Sequence, residues 1–172
     1  MTELDQIWSQ MLSTATARAL DSGKSEIAEY LRLKAANDAI RAEGVNWLFA
    51  SLDEIVSASG PATIGLVTER GHPHSFSRGN SNMVGSVVRV HRGVRCLSVE
   101  AGWTRTPTDG IMLGGTLAAA RITHFGIPKA NADLVLAYAG ELPLWHFETE
   151  DGKRSPFRVS DLYGHFRLFV GE

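Results

Sequence analysis

The first third of the chain repeats its apolar residues with the period of an α-helix. Between residues 4 and 19 they recur every three or four positions, which predicts an amphipathic helix. Thr2 can cap the start of this helix, and Ser22-Gly23 can end it. Residues 25–43 predict a second helix whose apolar residues spread over more than one face, as expected when a helix packs against two partners.

Residues 45–56 carry a third helical stripe, which the glycine and proline of segment 57–61 stop. Gly44 either separates the last two helices or lies inside one long helix, where it costs about 1 kcal/mol relative to alanine. We therefore expect residues 1–59 to form a helical N-terminal segment that contains two or three helices.

Beyond residue 60 the pattern changes to that of β-strands. Residues 62–69, 85–90 and 94–102 are rich in β-branched residues and are punctuated by glycine. His91-Arg92-Gly93 predicts a tight hairpin between the second and third of these strands.

The C-terminal part of the chain predicts further strands, at residues 134–139, 144–149 and 157–159. Glu150-Asp151-Gly152-Lys153 indicates a turn between the last two. Ser160-Asp161 can cap a final helix, but residues 166–170 also alternate as in a strand. The sequence therefore leaves the structure of this last segment open.

Residues 111–125 lie between the two groups of strands and favour a helix. Leu117-Ala118-Ala119-Ala120 propagates a helix well and lacks the β-branching of a strand, and a glycine and a proline follow the segment. A length of 172 residues suits one domain. We therefore predict a single α+β domain over residues 1–172. N-terminal helices pack on a mainly antiparallel β-sheet, residues 60–172, with one inserted helix.

Composition narrows the class of protein without identifying it. Apolar residues make up 44% of the chain and charged residues 21%, which is typical of a globular protein and not of a disordered one. No stretch reaches the ~18 uncharged apolar residues of a membrane helix, so we expect no membrane contact. Acidic residues near the N-terminus argue against a secretory signal, which predicts a cytoplasmic protein. The lone Cys96 lies in an apolar run, which indicates a small buried residue.

Arginine is concentrated in the middle of the chain. Residues 61–128 contain seven arginines and four histidines but only three acidic residues and no lysine, although the whole protein has a net charge of -2. Arginine binds carboxylate or phosphate through a planar fork of donors. The parts before and after it, residues 1–60 and 129–172, have more acidic than basic residues. The basic middle therefore predicts either an anion site or charges that neutralise these acidic parts across a core or a dimer interface.

The densest group of polar side chains lies at residues 102–110. The guanidinium of Arg105 is accompanied by one aromatic ring and three hydroxyls, from Trp103, Thr104, Thr106 and Thr108. The helix predicted after Asp109 would add free backbone N–H groups near Gly110, which favour anions. We therefore predict ligand binding by these residues. The alternative is a plain turn in which Asp109 is an N-cap and the threonines bond their own backbone.

Glu100 and Arg121 are charged residues in apolar surroundings, so each is expected to have a partner. If they pair with one another, they form a structural ion pair. If Arg121 instead converges with Arg105, the two arginines form an anion clamp and Glu100 becomes a candidate general base, the weak catalytic candidate of this sequence. Sequence alone leaves both arrangements open, and the structural pair is favoured.

His72-Pro73-His74 is the best candidate for metal binding. Two imidazoles at this spacing on an extended segment point to the same side, as a metal-dependent hydrolase would need. The chain has neither an H-E-x-x-H motif nor paired cysteines, so His72 and His74 remain weak metal candidates.

The hypothesis that we place first is a binding domain for a small anionic molecule, with or without enzymatic turnover and with an unknown cofactor. The second is a homo-oligomer, such as a dimer, that has no catalytic activity, since arginines and aromatics are enriched at interfaces. The third is the metal-dependent hydrolase. Nucleic acid is disfavoured as a partner, because a net charge of -2 without supporting lysines differs from a broad basic face.

Overall fold

Two packed helices begin the chain. The computed structural model describes residues 3–60 and 64–171, apart from the side chain of residue 4. Helix α1 spans Glu3–Asp21 and α2 spans Ser25–Ala58, and Trp8 Nε1 of α1 donates a hydrogen bond of 2.8 Å to Asp38 of α2. The predicted N-terminal helices are confirmed. The proposed cap Thr2 lies outside the described residues.

Helix α2 runs without a break for 34 residues, so Gly44 lies inside it. A Cβ atom on Gly44 would lie 2.5 Å from a methyl carbon of Leu136 in the sheet. The Gly44 carbonyl oxygen also accepts a hydrogen bond of 2.9 Å from Trp145 Nε1. Gly44 therefore allows α2 to lie close against the sheet, and this packing outweighs the cost of about 1 kcal/mol for glycine in a helix.

Within the described residues, seven strands form one sheet in which neighbours are antiparallel and the spatial order equals the sequence order. The strands are β1 Val67–Arg78, β2 Ser81–Arg92, β3 Arg95–Trp103, β4 Thr116–His124, β5 Ala132–Ala139, β6 Leu142–Glu148 and β7 Arg154–Pro156. Helix α3, Val159–Val170, follows the sheet. The predicted α+β class is confirmed. The strand predicted at residues 62–69 is wrong in its bounds, because β1 begins at Val67 and extends to Arg78, and residue 62 itself lies outside the described residues.

The helix predicted for residues 111–125 is wrong, because the segment contains the central strand β4. The alanines at 118, 119 and 120 are at most 2% exposed, so both faces of this strand are covered. Their short side chains leave room for α2 on one face and for Phe76 and Met83 on the other. Tertiary packing therefore overrides the helix propensity of alanine.

The last segment of the chain, for which the sequence is compatible with a helix or a strand, is helical. The strand predicted at residues 157–159 is wrong, because β7 ends at Pro156 and Val159 already belongs to α3. The buried residues of α3 are spaced as on one helical face: Leu162, Phe166, Phe169 and Val170. A carboxylate oxygen of Asp161 accepts a hydrogen bond of 2.7 Å from the backbone N–H of Arg158, which caps the start of the helix.

Two of the seven clustered arginines bind the C-terminal end of α3. Arg92 Nη1 donates to the Val170 carbonyl at 2.9 Å, and Arg95 Nη1 donates to the Phe169 carbonyl at 3.1 Å. Cations are favourable at this end, where backbone carbonyls carry partial negative charge. Arg92 and Arg95 therefore have a structural role.

Helices α2 and α3 cover one face of the sheet, which we call the helical face. Its core is formed by residues that are fully buried, among them Leu48, Leu52, Val99, Ile122, Leu134 and Leu162. Burial of each large side chain contributes roughly 1.5–3 kcal/mol. Among the described helices, none combines the length and apolar character needed to cross a membrane.

The opposite side of the sheet, which we call the charged face, is concave. Side chains alternate along a strand, so Arg121 points away from the buried residues Ala120 and Ile122. At the end of β1, Arg78 forms an ion pair with Glu148 at the end of β6. In a flat sheet, five spacings of ~4.8 Å would hold these strands roughly 24 Å apart. The contact therefore requires a strongly curled sheet.

A glycine pair permits close approach of β2 and β3 within this curled sheet. Gly85 is opposite Gly102 in the register. A Cβ atom on Gly85 would lie 2.6 Å from Gly102 Cα, and one on Gly102 would lie 2.7 Å from the carbonyl carbon of Val84. Glycine within a strand is typical of a sharp bend or a close backbone approach. The two glycines are therefore required by the shape of the sheet.

A histidine pair joins β4 to α3. His124 Nε2 and His165 Nδ1 are 3.0 Å apart and the rings stack, with His124 only 4% exposed. Burial lowers the pKa of His124, and the nearby His165 lowers it further. Burial also lowers the pKa of His165, against a smaller opposite effect of Asp161. The folded protein therefore holds both imidazoles in the neutral form, one donating to the other.

We expect stability to fall when this pair is protonated. Because both folded-state pKa values lie below the unfolded value of about 6.5, the unfolded chain binds more protons at acidic pH. The stabilisation is complete above about pH 6.5 and is lost as the pH falls below it. Urea denaturation measures the free energy of unfolding at about pH 7.5 and at about pH 5.5. Between these two pH values it should decrease less for His124→Phe than for the wild type. Equal declines would contradict this role.

Candidate functional site

A row of alternating charges crosses the charged face. Glu100, Arg121 and Asp133 lie opposite one another on β3, β4 and β5. Arg121 Nε donates to Asp133 Oδ1 at 2.9 Å, and Arg121 Nη1 lies 3.7 Å from Glu100 Oε1. The second Glu100 oxygen is 2.7 Å from His74 Nε2 of β1. Cross-strand pairs of this kind hold neighbouring strands in register.

A second group of charges lies where β1 meets β6. Both Arg78 and Arg154 contact Glu148, the latter through Nε at 3.0 Å. Arg154 also donates to the Gly114 carbonyl and to Thr116 Oγ1, each at 3.0 Å. One carboxylate is therefore shared by two guanidinium groups, and Arg154 also fixes the loop that precedes β4.

Three arginines are close enough on this face to influence one another. Burial lowers the pKa of Arg78, Asp133 opposes this, and the positive charges of Arg154 and Arg121 lower the pKa further. Arginine nevertheless stays charged at neutral pH, because the ordinary pKa of a guanidinium group is far above neutral. The three arginines are therefore close neighbours that are held in place by the carboxylates of Glu148, Glu100 and Asp133.

A cleft of about 570 Å³ opens beside Arg78 and Arg154, and we call it the arginine cleft. This volume lies within the range of roughly 300–1,000 Å³ that is typical of small-molecule sites. Its wall combines the two arginines and Glu148 with apolar residues, Met83, Ile111, Met112 and Leu113. A mainly apolar wall with a few convergent polar groups is the usual composition of a ligand pocket.

The site predicted around Arg105 lies elsewhere, at the junction of α1 with the helical face. Arg105 is 9% exposed, and its Nη2 donates to Asp5 Oδ1 at 2.9 Å. Its guanidinium carbon lies 3.6 Å from the centre of the Trp103 ring, a cation–π contact. Trp103 is 2% exposed, and among the described residues its Nε1 has no hydrogen-bond partner. These two residues line a smaller cleft of about 340 Å³.

The threonines of this segment form a turn and do not precede a helix. Residues Pro107–Asp109 make a short 3-10 turn, and Asp109 Oδ2 accepts hydrogen bonds from the backbone N–H of Arg105 and from Thr106, at 3.1 and 2.9 Å. Thr106 and Thr108 bond each other at 2.7 Å, Thr104 is half-buried beside them, and Gly110 has a φ of 98°. The helix N-terminus predicted after Asp109 is therefore wrong.

Arg105 and Arg121 are not brought together. Arg105 stacks on Trp103, which belongs to the core of the helical face, whereas Arg121 lies on the charged face. Each contacts a carboxylate, Asp5 for Arg105 and both Glu100 and Asp133 for Arg121. The two arginines do not form one anion clamp, and Glu100 belongs to an ion-pair network. A ligand role for either arginine alone stays a prediction.

His72 and His74 point to opposite faces. The register of β1 against β2 shifts between Gly71 and His74, so the expected alternation is broken. His72 Nδ1 is 2.8 Å from Ser86 Oγ, whereas His74 contacts Glu100. The expectation that the two imidazoles share a side is wrong. Within the described part of the chain, no group of three or more candidate ligands could hold a metal ion.

Sequence reasoning did not assign Arg78 and Arg154 to a site. Arg78 belongs to the arginine-rich middle, but its position at the end of a strand resembles that of any turn residue. Arg154 lies outside that region, 76 residues further along the chain. Their proximity depends on the curl of the sheet, for which the paired glycines are the only signal in the sequence.

Comparison of the chain with protein-family models, with curated protein sequences and with solved structures finds no match. Its function is therefore argued from the side chains of the site, because a fold alone does not define an activity.

Proposed function

We propose that this protein binds a small anionic molecule, a carboxylate or a phosphate, in the arginine cleft. The class of ligand is the one that the arginine-rich sequence predicts, whereas the site differs from the predicted one. Arg78 and Arg154 are the proposed anion-binding residues, whereas Arg121 in the neighbouring row already contacts two carboxylates, Glu100 and Asp133.

The observation that carries this proposal is the imbalance of charge around Glu148. Two guanidinium groups share this carboxylate, with side-chain exposures of 26% for Arg78 and 28% for Arg154. Within residues 3–60 and 64–171, Glu148 is the one residue that Arg78 contacts by an ion pair. Its remaining N–H donors can therefore bind an anion that enters the cleft, and such a contact is stronger when partly shielded from water.

Isothermal titration with inorganic phosphate and with succinate tests this function. Arg78→Gln keeps much of the side-chain volume but removes the charge, so we expect binding to weaken about tenfold or more, as for the loss of a charged hydrogen bond. Arg32→Gln, at an exposed position of α2, is the matched control and should bind like the wild type. Absence of binding by the wild type, or equal binding by Arg78→Gln, would refute the proposal.

Other features of the first hypotheses stay predictions. Self-association as a dimer would use large apolar residues that are exposed on α1 and α2. These residues are Ile7, Met11, Leu20, Ile27, Tyr30, Leu33 and Trp47. A cytoplasmic location and enzymatic turnover, with Glu100 as the base, also stay predictions. The metal-dependent hydrolase is not proposed further, because its two histidines lie on opposite faces.

A further inference from the structure

We infer that the anion bound in the arginine cleft carries an apolar chain, so that the ligand class is an amphiphilic monoanion such as an alkyl carboxylate. This inference rests on the proposed function, because the arginines hold the anionic head. It adds that the apolar residues of the cleft bind the apolar chain of the ligand.

The main observation is an apolar loop at the rim of the cleft. Ile111, Met112 and Leu113 follow one another between residues 110 and 114, and Ile111 and Leu113 are 74% and 77% exposed. Three consecutive apolar residues at a surface are unusual unless they serve an interaction. The loop therefore presents apolar side chains that have no cover within the described part of the chain.

The loop is anchored in part by Arg154, one of the two residues that hold the proposed anion. Arg154 Nη1 donates to the Gly114 carbonyl at 3.0 Å, and Ser81 Oγ donates to the Ile111 carbonyl at 3.2 Å. Gly110 and Gly114 have φ values of 98° and 63°, which let the chain turn sharply at both ends of the loop. The apolar side chains are thereby fixed beside the cationic end of the cleft.

The floor of the cleft suits an alkyl chain. Met112 packs against the small cluster formed by Phe76, Met83 and Ala119 on the charged face. Methionine is unbranched and flexible, so it adapts to an apolar ligand of variable length. A ligand whose head reaches Arg78 would therefore lay its chain along Met83 and Met112, which line the cleft.

Burial of the cations favours a single molecule over a membrane surface as the ligand. Arg78 and Arg154 are about three-quarters buried and share Glu148 between them. The loop itself contains no lysine or arginine. Membrane surfaces attract clusters of exposed basic residues, whereas these two cations are largely buried in the wall of the cleft.

Titration with acetate, butanoate, hexanoate and octanoate tests the inference. Affinity should rise about threefold for each added methylene until the cleft is filled, as expected for burial of apolar surface. 1-Octanol, which has the chain without the charge, should bind more weakly than octanoate. Leu113→Ser should flatten the dependence of affinity on chain length, because it removes an apolar side chain from the wall of the cleft. Val94→Ser, at an exposed apolar residue of another turn, is the matched control.

The outcomes separate this inference from the proposed function. Equal binding of all four carboxylates would refute the inference that the ligand carries an apolar chain. Binding of octanoate like the wild type by both Leu113→Ser and Ile111→Ser would refute it as well. Neither result would contradict the proposed anion binding. If neither phosphate, succinate nor any alkyl carboxylate binds, the proposed function itself fails. Retention by phosphatidylglycerol vesicles without binding of octanoate would overturn the inference in favour of a membrane surface.

Discussion

Gly85→Ala should lower the free energy of unfolding by about 3 kcal/mol or more, because the added methyl group would meet backbone atoms and not a movable side chain. The new Cβ would lie against the Ala101 carbonyl oxygen and 2.6 Å from Gly102 Cα. Relief of this clash requires β2 and β3 to separate where Gly85 and Gly102 face each other. The expected loss is therefore large for a single methyl group.

Thermal unfolding followed by circular dichroism measures this effect. A loss of about 3 kcal/mol corresponds to a decrease in Tm of roughly 6–12 °C for a protein of this size. Gly164→Ala is the matched control, since Gly164 lies in α3, where an added Cβ would meet no atom within 4 Å, and this variant should gain up to about 1 kcal/mol. A decrease below about 2 °C for Gly85→Ala would show that the close strand approach is not required.

Arg105→Met should destabilise the protein by about 3 kcal/mol or more, because it removes one partner of a buried ion pair. The Arg105 and Asp5 side chains are 10% and 13% exposed, so the substitution removes an ion-pair contact that has little access to water. The substitution also removes the cation that covers the Trp103 ring. Urea denaturation should therefore give a clearly lower midpoint than for the wild type.

A double-mutant cycle isolates the ion pair. Asp5→Leu combined with Arg105→Met removes both charges, and we expect the double variant to lose less stability than the two single variants added together. Additive losses would contradict a direct coupling between Asp5 and Arg105. Anion binding in the arginine cleft should be unaffected in Arg105→Met as long as the variant is folded, because Arg105 lies on the helical face.

The helices and most strands could be predicted because their signals are local. In residues 4–56, apolar residues recur with the spacing of an α-helix, and this spacing can be recognised from neighbouring residues alone. The hairpin at Gly93 likewise follows from a short glycine turn, where φ is 58°. Gly44 could not be decided from sequence, since its cost in a helix is offset by contact with Leu136.

Strand β4 was missed because its alanines serve packing on both faces. Ala118 and Ala120 face α2, and Ala119 faces Phe76 and Met83. A run of alanine has high helix propensity when considered alone, so only the position of β4 at the centre of the sheet decides its structure. The helix N-terminus expected after Asp109 depended on the same helix, so the backbone donors that it would have added to the predicted anion site are not present there.

The arginine cleft could not be predicted because it depends on contacts between distant parts of the chain. Arg78 and Glu148 are 70 residues apart and meet only in a curled sheet. The sequence favoured an ion pair between Arg121 and Glu100, and arginines do pair with carboxylates on this face. It did not indicate which arginines share one carboxylate.

The most direct test of anion binding in the arginine cleft is an NMR titration of the arginine Nε–H signals with octanoate. We expect the Arg78 and Arg154 signals to shift in a saturable manner with one common dissociation constant. The signals of Arg18 and Arg32, which are exposed on the helices, should stay unchanged. Small shifts of all arginine signals in proportion to the added salt, without saturation, would contradict a specific site.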